Sequence, residues 1–366
     1  MKNNMITVLI TDHSLLFRNI LKNELNKDPY IDVIGTAVDA MDAMEKIKAL
    51  KPDIITLDVE MPKIDGLTFL KRLMAEYPMK VVLVSSMNIN VFDALNLGAV
   101  DFVKKPSMSS DNELQAFIKE LKTKIKVASI AKLVTYKWSL KQDESNDTDN
   151  ATREDKNNLR KFIKLHANTI VAIGASTGGT EATLKVLKEL PANFPPILIT
   201  QHMPAGFTKM YADRLNKACN IEVREAVHGD KVKQGTALIA PGEKQMILKK
   251  DSQGYYVDCR STEKVNGHCP SVDVLFNSVA ETAKKNSVGI ILTGMGRDGT
   301  TGLLNMKKAG AYTIGQNEKT SVVYGMPMVA FNIGAVMVQA SIEDIPNILT
   351  RHLIPRGNIL RRDIPS

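Results

Sequence analysis

Residues 6–12, Ile-Thr-Val-Leu-Ile-Thr-Asp, form a short apolar and β-branched run that stops on a carboxylate. A run too brief for a helix, and apolar at successive rather than alternate positions, suits a strand buried on both faces of a parallel sheet. Four runs of the same kind follow, at Asp32–Ala37, Ile54–Asp58, Lys80–Ser85 and Asp101–Lys104, each trailed by a stretch of helical period. In the last of these stretches Leu114, Phe117, Ile118, Leu121 and Ile125 line up as one apolar stripe able to pack on a sheet. The alternation predicts a parallel α/β domain of strand and helix units over residues 1–127.

Residues 141–158, KQDESNDTDNATREDKNN, mix Asp, Asn, Lys and Glu without apolar period and cannot bury enough surface to fold. They sit in an interdomain linker expected over 128–162, and a chain of 366 residues is longer than one ordinary core supports. Alternation resumes in a second domain, 163–353, with strands expected at Thr169–Ile173, Ile197–Gln201, Val288–Thr293 and Ala311–Gly315. Residues 220–262 are β-rich and punctuated by Gly and Pro, which predicts a small antiparallel excursion from an otherwise doubly wound, mainly parallel sheet. Residues 354–366 read as a tail.

Open α/β sheets place their ligands at the carboxyl ends of the strands. Asp12 and Asp58 lie at the ends of the first and third strands, Ser85 closes the fourth, and Lys105 follows the fifth. Two carboxylates, a hydroxyl and an amine would share one pocket. That set suits phosphoryl transfer to a carboxylate, with Mg²⁺ neutralising phosphate oxygens while the hydroxyl and ammonium hold the acylphosphate. The phrases VLITDHS, LDVEMPKIDG, VVLVSS and FVKKPS, in order across residues 5–127, resemble response-regulator receivers. The resemblance implies a flavodoxin-like (βα)5 receiver in which Asp58 is the phosphoacceptor and Asp12 and Asp58 bind Mg²⁺. It further implies Ser85 as the switch hydroxyl, Lys105 as the phosphate-sensing lysine, and a chemotaxis histidine kinase as phosphodonor. One position departs from the pattern: receivers usually carry two adjacent acids after the first strand, and His13 stands at the second. The exchange removes a carboxylate, so Mg²⁺ binding is expected to be weaker and to deteriorate once the imidazole protonates.

Three strand ends of the second domain also carry polar residues: IVAIGASTGG with Ser176, PILITQHMP with His202, and GIILTGMGRDG with Asp298. In a parallel sheet all three project from one edge, and together they form the unit that activates a hydroxyl for acyl transfer. Gly174-Ala175-Ser176-Thr177-Gly178 fits G-x-S-x-G on a strand-to-helix turn, which aims helix N–H groups at nascent negative charge. A competing signal is Gly294-Met295-Gly296-Arg297-Asp298-Gly299, which fits GxGxxG with Glu318 near the place of a ribose-binding acid. Arg297-Asp298 would set a carboxylate beside a pyrophosphate. On these residues alone a hydrolase and a nucleotide-binding or scaffolding module both stand.

The longer phrases GASTGG, QHMP, VNGHCPSVDVLF, LTGMGRDG and VVYGMP, across residues 167–352, resemble the catalytic domain of chemotaxis protein-glutamate methylesterases. The resemblance implies a phosphorylation-activated hydrolase that demethylates glutamate γ-methyl esters, and deamidates glutamines, on methyl-accepting chemotaxis receptors. By motif, Ser176 is the nucleophile, His202 the general base and then acid, and Asp298 the orienting carboxylate. Thr177 and Met295 match the oxyanion site and nucleophile neighbourhood, and the esterase reaction needs no cofactor. The receiver's fourth- and fifth-strand face is expected to cover the catalytic edge until Asp58 is phosphorylated.

Other features exclude rather than assign. The net charge of +8 is scattered through helical stretches without interleaved aromatics, which argues against nucleic acid as a partner. No apolar run approaches the roughly 20 residues that span a bilayer, and the first residues lack a signal-peptide pattern, so a cytoplasmic protein without membrane insertion is expected. Cys219, Cys259 and Cys269 are an odd set without a CxxC pair and read as reduced bystanders. His268 beside Cys269 reads as structural, because neighbours on an extended chain point apart. Asp273 reads as first-turn helix charge, and His166, His228 and His352 as surface or core residues.

Overall fold

The computed structural model describes residues 5–61, 65–86, 90–107, 110–133 and 169–353; the expected linker stretch 141–158, His166 and the tail 354–366 lie outside them. In β1 (Ile6–Thr11) successive side chains face opposite cores: Leu9 joins one cluster, Val8 and Ile10 another. That two-sided burial is why the strand is apolar at consecutive positions. The same logic forms β2 (Ile31–Ala37), β3 (Ile54–Asp58), β4 (Lys80–Ser85) and β5 (Asp101–Lys104), parallel throughout in the order β2-β1-β3-β4-β5. Between them run α1 (Leu15–Leu25), α2 (Ala40–Leu50), α3 (Gly66–Glu76) and α4 (Asn90–Asn96), and α5 (Asp111–Ile130) follows. Side chains of Ser14, Asp39, Asp65 and Ser110 cap α1, α2, α3 and α5 by accepting backbone N–H groups of the first turn. In α5, Phe117, Ile118, Leu121 and Ile125 are buried as the stripe predicted, and the helix continues past the expected boundary at 127.

The second domain opens with β6 (Ile170–Ala175), α6 (Gly179–Lys188), β7 (Ile197–Gln201) and α7 (Phe207–Ala218). Then come β8 (Glu222–Glu225), β9 (Thr236–Ile239), β10 (Ile247–Asp251), β11 (Gly254–Asp258) and α8 (Val272–Thr282). The chain closes with β12 (Ser287–Ile291), α9 (Thr300–Lys308), β13 (Tyr312–Gln316), α10 (Met326–Asn332), β14 (Val338–Ala340) and α11 (Ile345–Leu353). The sheet is ordered β14-β13-β12-β6-β7-β9-β8, every pairing parallel. From β6 the chain builds toward β8 on one side and, after α8, toward β14 on the other. The strand order therefore reverses beside β6, where such sheets place their sites.

The antiparallel excursion is narrower than residues 220–262. Among the described strands only β10 and β11 pair antiparallel, around the turn Asp251–Gly254, with an isolated antiparallel bridge from Lys231 to Tyr256, whereas β8 and β9 extend the parallel sheet. Strand length and turn residues reveal β structure but not its direction. The β8 to β9 connection uses Gly229 and Gly235 at positive φ without a helix, so it looks like an antiparallel turn in sequence.

The two domains share an apolar contact. Phe92 of α4 stacks on Tyr211 of α7 with centroids 5.7 Å apart, and Phe102 of β5 meets Phe207 at 4.7 Å. At the rim the Lys132 N–H donates to the Val322 carbonyl at 2.9 Å.

Candidate functional site

At the first domain's carboxyl edge Asp12 and Asp58 are buried to 1% exposure, and Lys105 Nζ donates to both, at 2.7 and 2.9 Å. Burial raises the Asp58 carboxyl above its ordinary range; Lys105 pulls against that rise and Asp12 adds to it. Burial opposes the Lys105 ammonium, yet hydrogen bonds to the two carboxylates hold its pKa above the usual value. Asp12 is anchored by the Ser14 N–H at 2.8 Å and Asp58 by the Glu60 N–H at 3.0 Å. His13 Nδ1 lies 3.0 Å from Asp58 Oδ2, and ligand atoms of Asp12, His13 and Asp58 fall within 4.8 Å of one another. Two buried carboxylates fit a hard divalent cation, with one oxygen fewer than a three-acid set. Ser85 is buried at the end of β4, its hydroxyl donating to the Ser86 carbonyl at 3.0 Å.

In the second domain Ser176, His202 and Asp298 follow β6, β7 and β12, three adjacent or next-adjacent strands. The structure brings all three together. Ser176 Oγ is 3.2 Å from His202 Nδ1, and His202 Nε2 is 2.8 Å from Asp298 Oδ2. An ionised carboxylate only accepts, so it takes Nε2–H and leaves Nδ1 with the lone pair that faces the hydroxyl. Burial favours the neutral acid at Asp298, but hydrogen bonds from His202, Asn266 and Ser271 outweigh it and hold the carboxyl well below the usual carboxylate range.

Asp298 sits at the amino end of α8, where Oδ2 accepts the Val272 N–H at 2.7 Å and Oδ1 the Ser271 hydroxyl at 2.7 Å. Free N–H groups and the helix dipole favour an anion there. Asn266 Nδ2 adds donations to Asp298 at 2.9 Å and Asp273 at 2.7 Å. Asp273 is a first-turn residue of α8, as expected, and burial raises its carboxyl. On the other flank Gln201 Nε2 donates to the Ser176 carbonyl at 2.8 Å.

Thr177 is buried; its hydroxyl donates to Asp101 of the first domain, and its carbonyl accepts from Thr293 Oγ1 at 3.0 Å. Met295, 45% exposed, lies on the loop after β12. In that loop a side chain at Gly294 would stand 2.7 Å from Ser176 Cβ, so the backbone must approach the serine closely. The first glycine of the GxGxxG phrase thus serves packing against Ser176, Gly299 packs against Val272, and the acid of the phrase faces His202.

His268 reads in the sequence as structural, yet its ring stacks on His202 with centroids 3.8 Å apart and planes 9° from parallel. Burial lowers His268 to about 4, and His202 adds to the effect. Asn266, Ser271 and Gln201 were missed; the Asn-Gly pair, a hairpin-turn signal, was the available clue to the first. The three cysteines are free, and burial holds Cys219 up at about 11 and Cys259 at about 12, far from thiolate nucleophiles. His228 pairs with Asp258 at 3.1 Å and His352 stacks on Tyr312, both away from the site.

The family model described as CheB methylesterase matches residues 171–349, and the response regulator receiver domain matches 8–119. A Syntrophomonas wolfei relative named protein-glutamate methylesterase/protein-glutamine glutaminase 2 is 51% identical over 341 residues, covering 93% of this chain and 95% of the relative. The chain belongs to the protein-glutamate methylesterase/protein-glutamine glutaminase family. A further methylesterase/glutaminase relative, from Nitrosomonas europaea, is 45% identical over 96% of this chain and 98% of its own length. The crystal structure of the Thermotoga maritima CheB methylesterase catalytic domain shares 37% identity over 50% of this chain and 98% of that chain, with a TM-score of 0.49. Among the described residues no helix is long and apolar enough to cross a membrane.

Proposed function

We propose that this chain is a receiver-controlled hydrolase that cleaves glutamate γ-methyl esters, and γ-amides of glutamine, on methylated chemotaxis receptors. What carries the reading is the hydrogen-bonded series Ser176, His202, Asp298 at the strand-order reversal of a methylesterase-family domain. His202 Nδ1 takes the hydroxyl proton as Ser176 Oγ attacks the γ-carbonyl carbon, while Asp298 balances the imidazolium through Nε2–H. N–H groups near Thr177 and Met295, with the amino end of α6, face the developing oxyanion. The tetrahedral adduct collapses when Nδ1–H passes to the departing methoxide oxygen, releasing methanol and leaving an acyl-serine. Water then attacks the acyl carbon, giving its proton to His202; Ser176 Oγ regains it, and the glutamate carboxylate leaves. With glutamine the leaving group is ammonia.

In the first domain Asp58 accepts the phosphoryl group from a histidine kinase, Lys105 holds a phosphate oxygen, and Ser85 rearranges to meet another. Mg²⁺ held by Asp12 and Asp58 would supply charge neutralisation for the incoming phosphate. The units proposed are a receiver through about residue 127, a linker, a catalytic domain over 163–353 and a tail. In the closed arrangement Asp101 engages Thr177, one residue from the nucleophile, and Ser176 is 8% exposed. Phosphorylation then favours an open state in which substrate reaches the serine. The test is methanol release from methylated receptor membranes: Ser176→Ala should lower it by roughly 10⁴-fold or more. A fluorophosphonate should label the wild type at Ser176. Near-wild-type release by the variant would end the reading.

A further inference from the structure

Residues Val265-Asn266-Gly267-His268 close on themselves, the Val265 N–H donating to the His268 carbonyl at 3.0 Å and the His268 N–H to the Val265 carbonyl at 2.9 Å. Asn266 has φ 54° and Gly267 φ 82°, both left-handed, the backbone of a two-residue type I′ turn, for which Asn-Gly is the preferred pair. The turn is pinned from behind: Gln245 Nε2 donates to the His268 carbonyl at 3.1 Å and to the Glu263 carbonyl at 2.7 Å.

From this turn two side chains reach two different members of the acyl-transfer series. Asn266 Nδ2 donates to Asp298 Oδ1 at 2.9 Å, on the oxygen that His202 does not use. The His268 ring lies flat on the His202 ring at 3.8 Å. Asp298 fixes where one nitrogen of His202 points but leaves the ring free to rotate about the Nε2 to Oδ2 direction. A flat neighbour removes that freedom and keeps Nδ1 aimed at Ser176 Oγ. The charges that act on the His268 ring are those of His202, Asp298, Lys124 and Lys264.

We propose that the Val265–His268 turn is a clamp for the hydrolytic site, with His268 and Asn266 as positioning residues for His202 and Asp298. The proposal rests on the reading of Ser176, His202 and Asp298 as the acyl-transfer series. It assigns work to the VNGH phrase, which does not supply the nucleophile. A clamp acts on the geometry of proton transfer, so its loss should appear in kcat and not in KM, and a ring without nitrogen should replace His268. Misplacing a reacting group by about 1 Å costs on the order of a hundredfold in rate.

The experiment measures kcat and KM for methanol release from methylated receptor membranes by full-length wild type, His268→Ala, His268→Phe, Asn266→Gly and Ser176→Ala. Asn266→Gly keeps the left-handed turn and deletes only the amide. His268→Ala and Asn266→Gly should each lower kcat by roughly ten- to a hundredfold with KM within about twofold, and His268→Phe should return to within about threefold of wild type. Wild-type kcat in His268→Ala, a loss confined to KM, or a His268→Phe as slow as His268→Ala would overturn the clamp. Methanol release surviving in Ser176→Ala would instead remove the acyl-transfer reading, and the clamp with it.

Discussion

A histidine beside Asp12 sets the residue-scale problem of the receiver. His13 Nδ1 is 3.0 Å from Asp58 Oδ2, so the imidazole addresses the same oxygen that Lys105 binds. A carboxylate in its place would give a divalent cation one more hard oxygen. His13→Asp should therefore tighten Mg²⁺ binding, measured by fluorescence or calorimetric titration, by about tenfold; unchanged affinity would show that the imidazole costs the site nothing. That Ser176, His202 and Asp298 meet was legible because each follows an apolar strand, and a parallel sheet collects strand ends at one edge. His268 was not, since its neighbour Cys269 drew the reading toward sequence adjacency, whereas the contact that matters is with a residue far away in the chain.

At the scale of elements, the Val265–His268 turn presses a neutral imidazole into the protein. Burial lowers His268 to about 4, below the roughly 6.5 of an unfolded histidine. Between those values the unfolded chain binds a proton that the folded chain refuses, so stability falls as pH drops through the window. From pH 7 to pH 5, wild type should lose about 1 kcal/mol more stability than His268→Phe, allowing for residual solvent contact of the ring. Parallel denaturation curves at the two pH values would show it, and equal losses would mean the ring protonates freely in the fold. Elements with strong apolar runs, β1 to β7, β12 and β13, were readable to within two residues at either end. β14 was not foreseen, because three residues carry no periodicity, and β8 and β9 revealed β structure without direction. The Asn-Gly pair could be seen, but not which side chains its turn would aim at Asp298 and His202.

The whole molecule is arranged so that one domain stands over the other's chemistry. Phe92, Phe102 and Asp101 of the receiver meet Tyr211, Phe207 and Thr177 of the catalytic domain, on the face formed by α4 and β5. Aromatic burial of this kind holds the closed form, and a switch works only if the open form lies within a few kcal/mol of it. The expectation that the fourth- and fifth-strand face covers the catalytic edge came from the order of the domains and the resemblance; the aromatic pairs across the contact required coordinates. The most direct measurement is the rate of methanol release from methylated receptor membranes, with and without acetyl phosphate, for wild type and Asp58→Ala. The phosphodonor should raise the wild-type rate by about tenfold or more and leave Asp58→Ala unchanged. A wild-type rate that ignores the phosphodonor, or an equal rise in both proteins, would contradict it.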